Sequence, residues 1–149
     1  MMELRDLYQE VILDHNRSPR NSRRMENPTG ESHGYNPLCG DKLTLYIKIY
    51  ANIITDISFV GCGCAISIAS ASLMTEALLG KEVRDASCLF DNIHDVLTGK
   101  NPHPDLKNLG KLSVLVGVKA YPSRVKCATL AWHTLRAVLN KKDETVSTE

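Results

Sequence analysis

The stretch "DKLTLYIKIYANIITDISFVG", residues 41–61, limits what this chain can fold into more than any other. Leu43, Leu45, Ile47 and Ile49 alternate with Thr44, Tyr46, Lys48 and Tyr50. A period of two sends the first set to one face of a strand and the second to the other, so one face must be covered. "AN" at 51–52 is a turn and "IITDISFVG" returns as a second strand, which predicts a β-hairpin.

The rest of the chain reads as cover for that face. Leu4, Leu7, Tyr8, Val11 and Ile12 recur at helical spacing and predict an amphipathic helix over 3–15. "NRSPRNSRR" ends it, because Pro19 cannot continue a helix, and leaves a solvated basic loop of Arg17, Arg20, Arg23 and Arg24. Residues 25–37 read as irregular, with room for a short edge strand. "AISIASASLMTEALLG" predicts a helix whose small residues let it lie close against the sheet, stopped by Gly80. A second helix spans 82–98 with Gly99 as its stop, and "KNPHPDLKNLG" is a connector. "KLSVLVGVKAY" is short and apolar and is assigned as helix. "PSRVKCATLAWHTLRAVLN" is the last helix, with Val125, Leu130, Leu135, Val138 and Leu139 as its buried stripe. "KKDETVSTE" is a polar, frayed tail. Strands first and helices later give an α+β class: a small antiparallel sheet with helices packed on one face. We expect a single domain over 1–140 and a flexible tail over 141–149.

Charge narrows the function classes. Lys plus Arg total 18 and Asp plus Glu 17, a balance that points to neither nucleic acid nor a membrane surface. No apolar run is long enough to span a bilayer. The acidic, amphipathic N-terminus lacks a signal-peptide layout, so a cytoplasmic location is expected. In such a reducing compartment five cysteines, an odd number, favour metal binding or thiol chemistry over a disulfide framework.

Their positions sharpen this. Cys39 lies in a Pro-to-Gly turn, Cys64 between a strand end and the first turn of a helix, and Cys127 near the start of the last helix. Loops and helix N-termini favour thiolate, which is the metal ligand and the nucleophile. Three thiolates plus Asp41 make a four-ligand set for a tetrahedral ion such as zinc, drawn from three separate segments. One oxygen ligand among thiolates suits a site that exchanges it. Such a set carries roughly two net negative charges around a divalent cation. Arg124 and Lys126 flank Cys127 and either offset that charge or form the exposed side of the helix. Cys62 is either a fifth thiol at the site or a strand-end residue. Cys88 reads as a small buried residue without chemistry. His133 lies six residues after Cys127, roughly 240° around a helix, so the two face different ways. His94 and His103 read as surface residues.

Taken together, "VILDHNRSPRN", "NPLCGD", "GCGCAISIASASLMTEALLGK" and "VKCATLAW" resemble the IscU/SufU (NifU N-terminal) family of iron–sulfur cluster assembly proteins, from about Tyr8 to Leu139. The resemblance implies a compact α+β fold, a cysteine-desulfurase partner, and a site of three cysteines and one aspartate: Cys39, Asp41, Cys64 and Cys127. Cys62 is then an extra thiol. Two departures from the IscU branch, Lys126 in place of a histidine and "AYPSRVK" in place of a chaperone motif, join a longer segment around His103 to Tyr121 in resembling the SufU branch.

The resemblance thus implies a zinc-bound sulfur acceptor. It takes persulfide sulfur from a PLP-dependent cysteine desulfurase of the SufS type and serves downstream iron–sulfur assembly proteins. Cys39 would attack the persulfide, Cys64, Cys127 and Asp41 would hold the metal, and Arg124 would steer the anionic sulfur. The alternative is a non-enzymatic IscU-type scaffold, the same thiolates holding a nascent [2Fe–2S] cluster and Asp41 serving as the weak ligand.

Overall fold

The computed structural model describes residues 4–140 and 145–147. In chain order the elements are α1 (Leu4–Arg17), β1 (Gly30–Asn36), β2 (Asp41–Tyr50), β3 (Ile53–Cys62), α2 (Ala65–Leu78), α3 (Val83–Leu97) and α4 (Leu106–Leu109). A 3₁₀ helix (Gly110–Ala120), α5 (Pro122–Leu139) and β4 (Thr145–Ser147) follow.

The hairpin forms as the alternation predicts. Tyr50 pairs with Ile53 across Ala51 and Asn52, both at positive φ (51° and 64°), the geometry of a type I′ turn. Leu45, Ile47, Ile57 and Phe59 are fully buried on the covered face. β1 adds antiparallel to β2, from Gly30 opposite Ile47 to Asn36 opposite Asp41. Its inward residues are Ser32, Gly34 and Asn36, while Glu31, His33 and Tyr35 face out. Small and polar residues point inward, so no hydrophobic alternation marks this strand in the sequence.

β4 pairs parallel with β1, Val146 opposite Gly34. The expected frayed tail is therefore corrected at 145–147, where backbone pairing to the open edge of β1 outweighs the polar composition. The rest of the tail, 141–144 and 148–149, lies outside the described residues. "KLSVLVGVKAY" is a 3₁₀ helix with Leu112, Val114, Leu115 and Val118 buried, so its assignment as helix holds with a tighter winding.

α5 is buried over most of its circumference: Ala128, Leu130, Ala131, Trp132, Leu135 and Val138 are all inside. Val125 and Leu139 of the expected stripe pack against this core while partly exposed, as do Val11 and Ile12 of α1. The small residues of α2 bring it against two helices. Ser70 Oγ donates to Ala128 O at 2.6 Å and accepts from Trp132 Nε1 at 3.2 Å, which locks α2 to α5. Ser72 faces α1 and the loop after it, where its Oγ meets His15 Nδ1 at 2.7 Å and accepts from the Arg20 backbone N–H at 2.9 Å. Cys88 is exposed, against expectation. The buried positions of α3 are Ala86, Phe90, Ile93, Val96 and Leu97, and Cys88 lies outside that stripe. Among the described residues no helix is long and apolar enough to cross a membrane.

His15 is expected to make the docking of α1 pH-dependent. It is 2% exposed, and its Nε2 lies 3.5 Å from Glu76 Oε1. Burial lowers its pKa below the usual 6.5, with Arg20 and Lys111 adding to the effect and Glu76 and Asp14 opposing it. The unfolded chain therefore binds the proton more readily, and stability falls as pH drops below about 6.5. Urea midpoints of the metal-free protein are expected to decline from pH 7.5 to 5, with a shallower decline in His15→Gln. His133, lowered by burial and by His94 and Arg136, contributes with the same sign. Parallel declines in the two proteins would show that His15 is not a source.

Candidate metal centre

Asn36 and Asp41 are the last facing pair of the β1–β2 ladder, and "PLCG" loops between them. Gly40 at φ +71° reverses the chain there, in a region that disfavours side chains. The reversal leaves Cys39 half-buried at the rim, beside Leu38 at 67% exposure, and turns Asp41 fully inward.

β3 brings the second thiol. Cys64 is the N-cap of α2, and its Sγ accepts from the Ser67 N–H at 3.4 Å. Its own N–H donates to Asp41 Oδ1 at 2.8 Å, and its Sγ lies 4.0 Å from Asp41 Oδ2. Gly63 makes this approach possible, because a Cβ there would stand 2.9 Å from Asp41 Cγ. α5 brings the third thiol from its second turn. Cys127 is fully buried, and its Sγ lies 3.2 Å from Cys39 Sγ. Donor atoms of Cys39, Asp41 and Cys127 all fall within 4.8 Å of one another.

Asn36 is a site residue that sequence reasoning missed. It is fully buried, and its Nδ2 donates to Asp41 Oδ2 at 3.2 Å and to Cys127 Sγ at 3.4 Å. Its place just before "PLCGD" was the available signal, muted because Asn before Pro reads as turn chemistry.

The donor set fits a cation. Burial pushes the Cys127 thiol far above its usual pKa, and its contacts with Cys39, Cys64 and Asp41 push it further. Without a counter-charge the Cys127 thiol therefore keeps its proton. A divalent ion reverses that balance, because coordination deprotonates a thiol outright. Arg124 supplies part of the compensation from outside. Its Nη1 lies 3.7 Å from Cys39 Sγ, and the neighbouring Cys127, Cys64 and Cys39 sulfurs hold its guanidinium above its usual pKa, Cys127 most.

The remaining candidates separate from this cluster. Cys62 is exposed at the end of β3, opposite Lys42. His133 packs its ring against Phe90 and His94 at centroid distances of 5.5 and 5.4 Å. His94, expected at the surface, is half-buried by this stacking, whereas His103 is exposed. Lys126, exposed, lines a cavity of about 740 Å³ together with His94, Val125 and His133, and no cysteine reaches its walls.

The sequence matches the NifU-like N terminal domain family over residues 7–128, a span that holds all four clustered ligand candidates. The chain belongs to this NifU-like family. It is 39% identical over 137 residues to the zinc-dependent sulfurtransferase SufU of Bacillus subtilis, covering 92% of each chain. It is 36% identical over 141 residues to the iron–sulfur cluster assembly scaffold protein IscU of Streptococcus pyogenes, covering 95% of this chain and 87% of that one. The crystal structure of FiSufU from Fervidobacterium islandicum AW-1 superposes with a TM-score of 0.83 at 36% identity, over 92% of this chain and 99% of that one. These likenesses support the α+β class and the IscU/SufU resemblance together. The fold thus gathers the Cys39–Asp41 turn and the second turn of α5 into one cluster of donors, and the α2 N-cap, Cys64, joins it through Asp41.

Proposed function

We propose that this protein is a zinc-bound sulfur acceptor of the SufU kind, taking persulfide sulfur from a PLP-dependent cysteine desulfurase of the SufS type in the cytoplasm. The carrying observation is the asymmetry of the cluster. Asp41 and Cys127 are fully buried, while Cys39 sits half-exposed on the turn with Arg124 beside it. Cys39, Asp41, Cys64 and Cys127 would hold the ion, which keeps thiols deprotonated when bound. Cys39 and Cys64 are both half-buried, and Cys39 is the one with the Arg124 guanidinium beside it, which favours it as the acceptor.

The transfer is a thiolate exchange. The Cys39 thiolate attacks the outer sulfur of the partner's persulfide, the partner's S–S bond breaks, and a new S–S bond forms on Cys39. The electron pair of the broken bond leaves with the partner's cysteine as thiolate, and the proton of the outer sulfur travels with it to Cys39. Arg124 lies where it offsets the negative charge shared by the two sulfurs. Downstream iron–sulfur assembly proteins would then receive the sulfur.

A second reading has its own support. The match to the S. pyogenes IscU covers nearly the whole chain, and exposed Cys62 is two residues from Cys64. In that reading the same donors hold a [2Fe–2S] cluster and pass it on. Zinc, iron and acid-labile sulfide per chain, measured on protein purified anaerobically without added metal, separate the two. About one zinc, no iron, and stimulation of a SufS-type desulfurase are expected. Iron and sulfide in equal amounts, with no stimulation, would replace the acceptor by the scaffold.

A further inference from the structure

Asn36 carries more than a packing role. A carboxylate only accepts hydrogen bonds, so the amide must turn its NH₂ toward Asp41. That orientation leaves Asn36 Oδ1 buried with no partner. Buried acceptors are almost always satisfied, and an orphaned one marks a side chain held by another demand. Here the demand is double, because one NH₂ group reaches both Asp41 Oδ2 and Cys127 Sγ. Asp41 Oδ1 is meanwhile held by the Cys64 N–H. Cys39 has no bond to Asn36; its contacts are Cys127 and Arg124.

We infer that Asn36 is a positioning residue that sets Asp41 and Cys127 as a preformed pair of ligands before a metal ion arrives. This rests on the proposed metal site. Hydrogen bonds from outside a metal site to its ligands fix their orientation, and Asn36 spans two ligands that the sequence separates by 86 residues (41 and 127). It does so from the strand that ends at the turn carrying Cys39. Leucine at this position is close in size and lacks the NH₂, so it removes the tie while keeping the volume.

The test compares wild type with Asn36→Leu by zinc affinity in chelator competition, by the sulfur-to-metal charge-transfer band after cobalt(II) substitution, and by melting of the metal-free protein. A loss of zinc affinity of about 10- to 100-fold is expected, with a weakened charge-transfer band in a variant that still melts cooperatively. Zinc affinity within twofold of wild type overturns the inference, whatever happens to the melting temperature. So does an affinity loss with an unaltered cobalt band, which reports an intact ligand pair. Should Asn36→Leu fail to fold, Asn36→Ser takes its place, because its short hydroxyl cannot span both ligands and the same losses are expected. If wild type itself binds neither zinc nor cobalt, the metal site and this inference fall together. If wild type binds and the variant matches it, the inference alone falls.

Discussion

Replacing Cys39 by serine is expected to abolish stimulation of a SufS-type desulfurase and to leave no sulfane sulfur on the protein after incubation with the desulfurase and cysteine. The substitution is nearly isosteric, so the turn built by Gly40 should persist. What changes is the nucleophile, because a serine hydroxyl is a far poorer nucleophile toward sulfur, and a far poorer metal ligand, than a thiolate. Cys127 cannot stand in, since it is fully buried behind Cys39. Cys62 and Cys88 are exposed and serve as internal controls, and serine at either should leave stimulation intact. Undiminished stimulation by Cys39→Ser would remove Cys39 as acceptor. Loss in Cys62→Ser alone would move that role to the end of β3.

Replacing Asp41 by alanine is expected to drop the zinc content from about one per chain to a trace. The carboxylate is the oxygen ligand candidate, and it also organises the cluster. It accepts from Cys64 N–H and from Asn36 Nδ2, so its loss takes the acceptor from the half-buried Cys64 N–H and leaves Asn36 Nδ2 with Cys127 Sγ alone, at a cost of about 1–3 kcal/mol. A metal that binds only the folded state stabilises it by about 4 kcal/mol at a thousandfold excess over its dissociation constant. Wild type should therefore gain several degrees in melting temperature with zinc, and Asp41→Ala should gain almost none. Zinc retained at the wild-type level, with the same thermal increment, would show that three thiolates suffice and that Asp41 serves the fold.

These two variants probe different consequences of one turn. Cys39 and Asp41 lie two residues apart, yet one is at the rim and the other is inside. Gly40 produces that difference, turning the chain so that neighbouring side chains meet opposite environments. A half-exposed thiol and a buried carboxylate thereby share one cluster at different depths.

Much of this was legible in the sequence, for identifiable reasons. The β2–β3 hairpin shows because its period of two is carried by large apolar side chains. The helices of 65–78, 83–97 and 122–139 show because glycine, proline and periodicity mark them. The four ligand candidates show because thiols at glycine- or proline-bounded element ends are unusual, and because their flanking motifs resemble a family. Local chemistry sufficed for each of these.

The tertiary structure decided the rest, because those properties depend on residues far apart in the chain. Strand β1 hides its inward residues as serine, glycine and asparagine, so only its pairing to β2 reveals it. β4 exists through a parallel partner more than a hundred residues away. Cys88 faces solvent because Phe90 and Ile93 decide which side of α3 is buried. His15 is shielded from water only because α2 brings Ser72 and Glu76 against its ring. Asn36 becomes part of the site only when α5 places Cys127 against it. Sequence alone thus determined which groups can do chemistry, since reactivity resides in the side chain. Which of them meet, and which are shielded from water, is set by packing between elements that no local pattern encodes.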